Sequence, residues 1–460
     1  MLKFAIVFIL DLCKKSIYCL GVMMSLDRRD ILKLPIMAIG ATVLDVNIQK
    51  KQKRKVVVIG GGFGGLTFAK KFKLLQKDVE VTVIDKESLF ITGPMYNLML
   101  GEVKGVNFNT IIHDRVKSSL KYGYKLLHAE VYNIDRVAKK VYTTKGKVEY
   151  DHLILSPGIA YNYEKQFPSW DKAKILRAKR EATSALIPGD EFVTLLQRLK
   201  NLKGGDIVLT VPLGDYRCPP APYERACMFA QYIRNHKLKS KVIIIDNYSR
   251  PISKTEAFEE AFRDVYPDII EFRGDCTIED VDFDAKKVTY SYWGEGSSDD
   301  GDMKEVKYEM LNLIATNKAS EVIKMAKIKT LGWGSAKLKA PTYQSVTDED
   351  IYIIGDCVGY AFPESGQMAN AMATICAKHL SQRINKEKIT QDMPGNLCIS
   401  MINTDPNEAI SDSHAISYNG KKFKVVRYMP YDKETKKYRS PYISKTLFSW
   451  YDGIMSDILD

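Results

Sequence analysis

The stretch from Val56 to Asp85 constrains this chain more than any other. It reads VVVIGGGFGGLTFAKKFKLLQKDVEVTVID. Four apolar β-formers, Val56 to Ile59, lead into Gly60, Gly62 and Gly65, a G-x-G-x-x-G spacing at the start of a helical pattern. A second strand, Val79 to Ile84, ends on Asp85. Gly60 permits a tight strand-to-helix turn, Gly62 lets the backbone approach a pyrophosphate, and Gly65 lets the helix close on the sheet. The helix N-terminus adds free N–H groups and the positive end of the helix dipole. Asp85 is placed to accept hydrogen bonds from a ribose. The pattern predicts a βαβ dinucleotide-binding unit in an α/β protein.

Two later segments select FAD over NAD. Tyr150 to Gly158 reads YDHLILSPG, a strand ending in the Pro157-Gly158 turn. Ile351 to Asp356 reads IYIIGD, a strand ending in Gly355-Asp356, with a helical pattern from Ser365 and Gly366 after it. In flavoproteins with two dinucleotide domains such pieces close the FAD site. Asp356 is placed to bind the ribityl hydroxyls, and the helix at Ser365 aims its N-terminus at the flavin pyrimidine, where charge builds on reduction. The segment KESLFITGPMYNLMLGE, Lys86 to Glu102, is placed against the flavin and contributes Gly93 and Asn97.

Asp206 to Thr210 starts a second βαβ unit, with a helix over about Tyr223 to Asn235 and a strand over Val242 to Asp246. Its turn, VPLGDYRCPPAP, has no G-x-G-x-x-G, and Pro219, Pro220 and Pro222 crowd the phosphate position. Proline has no N–H to offer, so a pyrophosphate would be poorly held there. This argues against NAD(P)H as electron donor. Cys218 lies at the start of that helix, a position that lowers a thiol pKa. Glu224, in the first helical turn, is placed to act as a base. Cys227, Cys276 and Cys376 read as core.

A chain of 460 residues suits two or three domains. Residues 1–52 read as a leader. Residues 53–161 and 311–388 read as the FAD-binding domain, 162–310 as a second Rossmann-like domain without an NAD fingerprint, and 389–460 as a small C-terminal α+β interface module. That module ends in a helix with the apolar stripe Leu447, Trp450, Tyr451, Ile454 and Ile458, and an acidic face suited to docking on protein rather than anionic lipid. In the leader, SLDRRDILK carries Arg28 and Arg29, with an apolar run behind them. This is a twin-arginine pattern and predicts export of the folded, FAD-loaded protein to the periplasm. The leader's apolar runs are too short and interrupted to span a bilayer, so no stable transmembrane anchor is expected. The net charge of +12 is spread among interleaved lysines and acids. With no aromatic-basic interleaving, it argues against a nucleic-acid partner. The eight cysteines form no C-x-x-C, so no metal site and no haem attachment are expected on this chain.

GGGFGG, YDHLILSPG, RCPPAPYER, IYIIGDC, PESGQMAN and SWYDGIMSDIL together resemble the flavoprotein subunit of flavocytochrome c sulfide dehydrogenase, whose relatives are the sulfide:quinone oxidoreductases. The resemblance runs from Lys53 to the C-terminus. It implies a glutathione-reductase-like fold of two Rossmann-like domains. It also implies that sulfide attacks a redox disulfide beside FAD, and that electrons pass from FAD to a separate c-type cytochrome subunit. Cys218 matches one member of that disulfide, and Glu224 the motif's glutamate. Two departures stand out. The second redox cysteine is expected after a Gly-Trp pair, but Gly334 follows Gly332-Trp333. The cysteine that holds FAD covalently in many members is Gly93 here, so the FAD should be non-covalent. Cys357 and Cys398 are candidates for the missing thiol. Three activities follow from the resemblance: oxidation of sulfide or sulfane sulfur with cytochrome c as acceptor, sulfide:quinone oxidoreduction, and non-catalytic sulfur binding by a flavin-bearing subunit.

Overall fold

The apolar run that opens the fingerprint becomes β1 (Lys55–Ile59), followed by α1 (Phe63–Leu75) and β2 (Glu80–Asp85). The computed structural model describes residues 53–332, 334–360 and 362–460; the twin-arginine leader and Trp333 lie outside the described residues. β1 and β2 run parallel, with Lys55 opposite Glu80 and Ile59 opposite Ile84. β3 (Lys125–His128) adds beside β2, and β4 (His152–Leu155) beside β1. A parallel sheet is covered on both faces, which explains why β1 and β4 read as unbroken apolar runs rather than alternating ones.

The chain then builds α2 (Asp190–Asn201), β5 (Ile207–Val211), α3 (Ala221–Asn235), β6 (Val242–Asp246), α4 (Thr255–Asp264), β7 (Ile270–Arg273) and β8 (Met310–Leu313). These four strands form a parallel sheet in the order β7-β6-β5-β8. The polar run SYWGEGSSDDGDMK forms the tip of an antiparallel hairpin between Lys287–Tyr292 and Asp302–Lys307. Afterwards β9 (Leu338–Lys339), β10 (Gln344–Ser345) and β11 (Ile351–Ile353) return to the first sheet. Its order is β9-β10-β11-β4-β1-β2-β3. The long helix α5 (Gly366–Asn385) packs against α1. An antiparallel sheet of β12 (Gly395–Thr404), β13 (Asn407–Tyr418) and β14 (Phe423–Tyr428), with α6 (Pro441–Leu459), ends the chain. The fold is α/β, with two Rossmann-like sheets and a small α+β module.

Two glycines fix the first turn. Gly60 has φ +105, and a Cβ there would lie 2.1 Å from the Ser156 carbonyl oxygen. A Cβ on Gly65 would lie 1.8 Å from the Gly60 carbonyl oxygen. The helix can therefore rest on the strand only with glycine at both places.

Helix α6 docks on the chain itself. Leu447, Tyr451, Ile454, Met455 and Ile458 are buried. The Tyr451 hydroxyl sits 2.6 Å from Thr92 Oγ1 and donates to the Thr110 carbonyl at 2.7 Å. Asp457, expected on an outward acidic face, is drawn in. It pairs with Lys71 and accepts from Asn370 Nδ2 at 3.0 Å. Lys70 Nζ donates to the carbonyls of Ser456 and Asp457, placing a cation at the negative end of the helix dipole.

Candidate active site

The carboxyl ends of β1, β4 and β11 open on one cleft, where ligands bind in open α/β sheets. Gly60, Gly61 and Gly62 form one wall. A Cβ on Gly62 would meet nothing within 4 Å, so the backbone there faces open space. Asp85 closes this end. It accepts from the Gly61 N–H and, at 2.7 Å, from the Glu87 N–H. Arg115 Nη1 lies 3.3 Å from Asp85 and also donates to the Gly61 carbonyl at 3.3 Å. A Cβ on Gly61 would strike Arg115 Nη1 at 2.2 Å and Asp85 Oδ2 at 2.7 Å, so a side chain there would displace both. Asp85 is thus a brace for the turn, and both it and Glu87 line the cleft.

In the middle of the cleft stand Pro157, Gly158, Gly355 and Asp356. Asp356 is 8% exposed. Arg217 Nε is 2.8 Å from its Oδ2, an ion pair whose geometry is not that of a hydrogen bond, so this buried oxygen has no hydrogen-bond partner. Glu364 lies nearby and accepts from Asn317 Nδ2 at 2.7 Å. Burial, together with repulsion by Asp356, pushes the Glu364 carboxyl up to about 8. Ser365 caps α5, accepting from the Met368 N–H at 3.0 Å, and its hydroxyl is 2.7 Å from Asn396 Oδ1. Ser365 and Gly366 present that helix N-terminus to the cleft.

The far end holds sulfur. Cys218 and Cys398 are free thiols, both half-buried, and both line the same cleft. Cys218 has φ +57, a left-handed backbone that non-glycine residues rarely hold and that recurs at functional sites. Cys398 arrives on β12. Lys254 Nζ donates to Cys398 Sγ at 3.1 Å and to Ser400 Oγ at 3.1 Å. Gly93 and Asn97 line the opposite wall, where a Cβ on Gly93 would come no nearer than 4.0 Å to Phe192.

Several expectations change. The helix N-terminus was expected to lower the Cys218 pKa; burial pushes it up instead, aided by the neighbouring Cys398 and Glu224. Cys218 precedes Pro220, the N-cap of α3, so it stands outside the helix's first turn. Glu224 is not a free base. Its Oε2 accepts from Asn97 Nδ2 at 2.8 Å and its Oε1 from the Met401 N–H at 2.7 Å, tying α3 to the Asn97 helix and β12. Burial raises its pKa. The Asn97 amide is likewise engaged, donating to Glu224 and accepting from Arg225 Nε at 3.0 Å. Gly65 packs under the turn rather than lining the cleft. Gly334 lies in a separate surface depression with Gly332 and Ser320, and is not among the residues that line the cleft with Cys218. Cys357 is fully buried, and its thiol donates to the Ile354 carbonyl. Cys398 is the candidate that the fold brings to Cys218. Cys227, Cys276 and Cys376 are core. The sequence argument missed Arg115, Arg217, Lys254 and Glu364. Of these, Arg217 and Glu364 stood inside the motifs RCPPAPYER and PESGQMAN, while Arg115 and Lys254 carried no local signal. Among the described residues no cluster of His, Cys, Asp and Glu could hold a metal ion, and no helix is long and apolar enough to cross a membrane.

Two Rossmann-like sheets open on one cleft, with the glycine fingerprint on the first alone. Residues 54–187 match the family model described as pyridine nucleotide-disulphide oxidoreductase. Residues 193–303 match the model of the sulfide dehydrogenase (flavocytochrome c) flavoprotein chain, central. The mitochondrial sulfide:quinone oxidoreductase of Dictyostelium discoideum is 20% identical, over 92% of this chain and 91% of its own length. The NADH dehydrogenase-like protein YutJ of Bacillus subtilis is 21% identical over 74% of this chain and 87% of its own. Among solved structures, the sulfide:quinone oxidoreductase from the hyperthermophilic bacterium Aquifex aeolicus superposes with a TM-score of 0.67 at 18% identity, covering 88% of this chain and 91% of that one. The likeness shows a shared fold. The cleft fits FAD: an open Gly62 backbone for the pyrophosphate, an Asp356 oxygen, ion-paired to Arg217 but accepting no hydrogen bond, for a ribityl hydroxyl, and a helix N-terminus at Ser365 for the flavin ring.

Proposed function

We propose that this chain is an FAD-dependent oxidoreductase that oxidises sulfide or sulfane sulfur through Cys218 and Cys398. The observation that carries this reading is that the two thiols share one cleft with the glycine fingerprint and Asp356. The sulfide dehydrogenase match over 193–303 and the sulfide:quinone oxidoreductase relatives support the same chemistry. Bound non-covalently, FAD would supply a two-electron acceptor beside the dithiol. The chain's own residues do the sulfur chemistry. Hydrosulfide attacks one sulfur of a Cys218–Cys398 disulfide; that S–S bond breaks, a new one forms to the sulfide sulfur as a persulfide, and the other cysteine leaves as thiolate. The incoming sulfur is oxidised and the leaving cysteine reduced, so atoms and charge balance. Arg217 holds Asp356, and Glu224 holds α3 against β12, keeping the two cysteines on one cleft.

Two acceptors compete. The central-domain match supports a c-type cytochrome subunit, with export to the periplasm through the Arg28-Arg29 leader. The Dictyostelium discoideum relative, aligned over most of both chains, supports a quinone. Anaerobic addition of sulfide to the flavin-loaded protein should bleach the flavin. Cys218→Ser and Cys398→Ser should each slow bleaching by roughly a hundredfold, a barrier increase of about 2.7 kcal/mol. Bleaching at the wild-type rate in both variants would refute the dithiol route. Mixing the reduced protein with cytochrome c or a soluble quinone then separates the acceptors.

A further inference from the structure

Lys254 carries an ammonium into the sulfur end of the cleft. It stands at φ +51, where the loop after β6 enters α4, and its side chain is fully buried. Nζ donates to Cys398 Sγ and Ser400 Oγ, each at 3.1 Å. Its carboxylate neighbour, Asp412 Oδ1, is 3.6 Å away, and that oxygen has no hydrogen-bond partner. Asp412 is held more closely by Arg427, whose Nε donates to Oδ2 at 2.6 Å. His414 Nε2 lies 3.7 Å from Oδ2, and burial lowers its pKa, favouring the neutral imidazole. Two cations therefore share one carboxylate. The other charged or titratable groups facing this pocket are Glu224, whose oxygens are bound by Asn97 and Met401, the Cys218 thiol, and Arg217, which pairs with Asp356. A buried ammonium without an answering anion is strongly disfavoured. The atom in hydrogen-bond contact with Lys254 that can take negative charge readily is the Cys398 sulfur.

We propose that Lys254 is a positioning residue that places the anionic sulfur of the reduced site, thiolate or persulfide, on Cys398 rather than Cys218. Cys398 has an ammonium in contact. At Cys218 the charged forms of Cys398 and Glu224 oppose an anion, while Lys254 and Arg217 favour one more weakly. The proposal deepens the dithiol reading above and rests on the two cysteines facing one cleft, but its test needs no turnover.

The flavin-loaded protein is reduced with a phosphine and alkylated with iodoacetamide across about pH 7 to 12, a range carried above ordinary thiol titration because burial raises both thiols. Peptide mass spectrometry follows each cysteine separately. In the wild type, Cys398 should react with a midpoint about one to three pH units below that of Cys218. Lys254→Met removes the charge and keeps the bulk. It should raise the Cys398 midpoint by about one unit or more, slow its labelling about tenfold near neutral pH, and raise the Cys218 midpoint by less, since Lys254 also favours an anion there but is not the main cause of its shift. Lys254→Arg keeps the charge and should return the Cys398 midpoint towards the wild-type value. If Lys254→Met does not retain flavin, Asp412→Asn replaces it. That variant keeps the ammonium, removes the competing carboxylate, and should lower the Cys398 midpoint. Equal midpoints in the wild type, or a Cys398 midpoint indifferent to Lys254→Met or to Asp412→Asn, would overturn the proposal. An ordered pair of midpoints in a protein that sulfide never reduces would refute the sulfur-oxidising reading and leave this one standing.

Discussion

Gly65→Ala and Gly62→Ala each add one methyl group to the same turn, yet they should fail differently. At Gly65 the new Cβ would sit 1.8 Å from the Gly60 carbonyl oxygen. Ordinary non-bonded contact lies near 3.5 Å, so α1 would have to lift from β1 by roughly 1.5 Å. The opposing atom is backbone and has little freedom, because the Gly60 N–H donates to the Ile84 carbonyl at 2.9 Å. Overpacking in cores costs about 1–3 kcal/mol, and the upper end applies where backbone meets backbone. Gly65→Ala should therefore lower Tm by several degrees and lose flavin as well. At Gly62 the φ of −91 suits any residue, and nothing lies within 4 Å of a new Cβ. The apoprotein should melt within about 0.5 kcal/mol of the wild type. Flavin affinity should fall tenfold or more, about 1.4 kcal/mol, because the methyl group occupies the pyrophosphate's approach. Scanning fluorimetry of flavin-stripped protein and the flavin-to-protein ratio after gel filtration read the two effects separately. A Gly65→Ala protein with wild-type Tm and full flavin, or a Gly62→Ala protein that loses its fold rather than its flavin, would refute the reasoning.

Flavin should be released into the supernatant by trichloroacetic acid, since Gly93 offers no nucleophile; flavin retained in the pellet would contradict this. NADH and NADPH should leave the flavin oxidised under anaerobic conditions, because Pro219, Pro220 and Pro222 remove phosphate donors; rapid bleaching by either would reverse that ranking. Glu364 is raised from 4.5 to about 8, so the native state holds a proton that the unfolded chain has lost between those values. Stability from this group is full below the unfolded value and declines as pH rises through about 8. Glu364→Gln should flatten the fall of Tm over about pH 5 to 9, and an unchanged slope would show that the proton is not there.

Lengths and sequence separations explain what could be read early. The βαβ unit from Lys55 to Asp85 was legible because glycine spacing, strand runs and the terminal acid lie within one local stretch. The second unit was legible for the same reason, and its missing fingerprint showed in the same few residues. Helix α6 was legible as an apolar stripe, but the partner it covers was not, since Lys70, Lys71 and Thr92 lie far away in sequence.

The sulfur end of the site depended on tertiary structure. Counting from motifs sent the second thiol to the position of Gly334, which lines a separate surface depression. Cys398 reaches Cys218 because β12 packs beside α3, an approach between segments 180 residues apart that no periodicity encodes. Helix position alone predicted an acidic Cys218, and burial reversed the sign. Glu224 looked like a base until Asn97 and the Met401 amide were found on its oxygens. Sequence determined the fold class and the nucleotide end because those rest on backbone sterics and spacing, which are local. Tertiary structure decided protonation and pairing, because desolvation and Coulomb interactions depend on which distant groups are brought together.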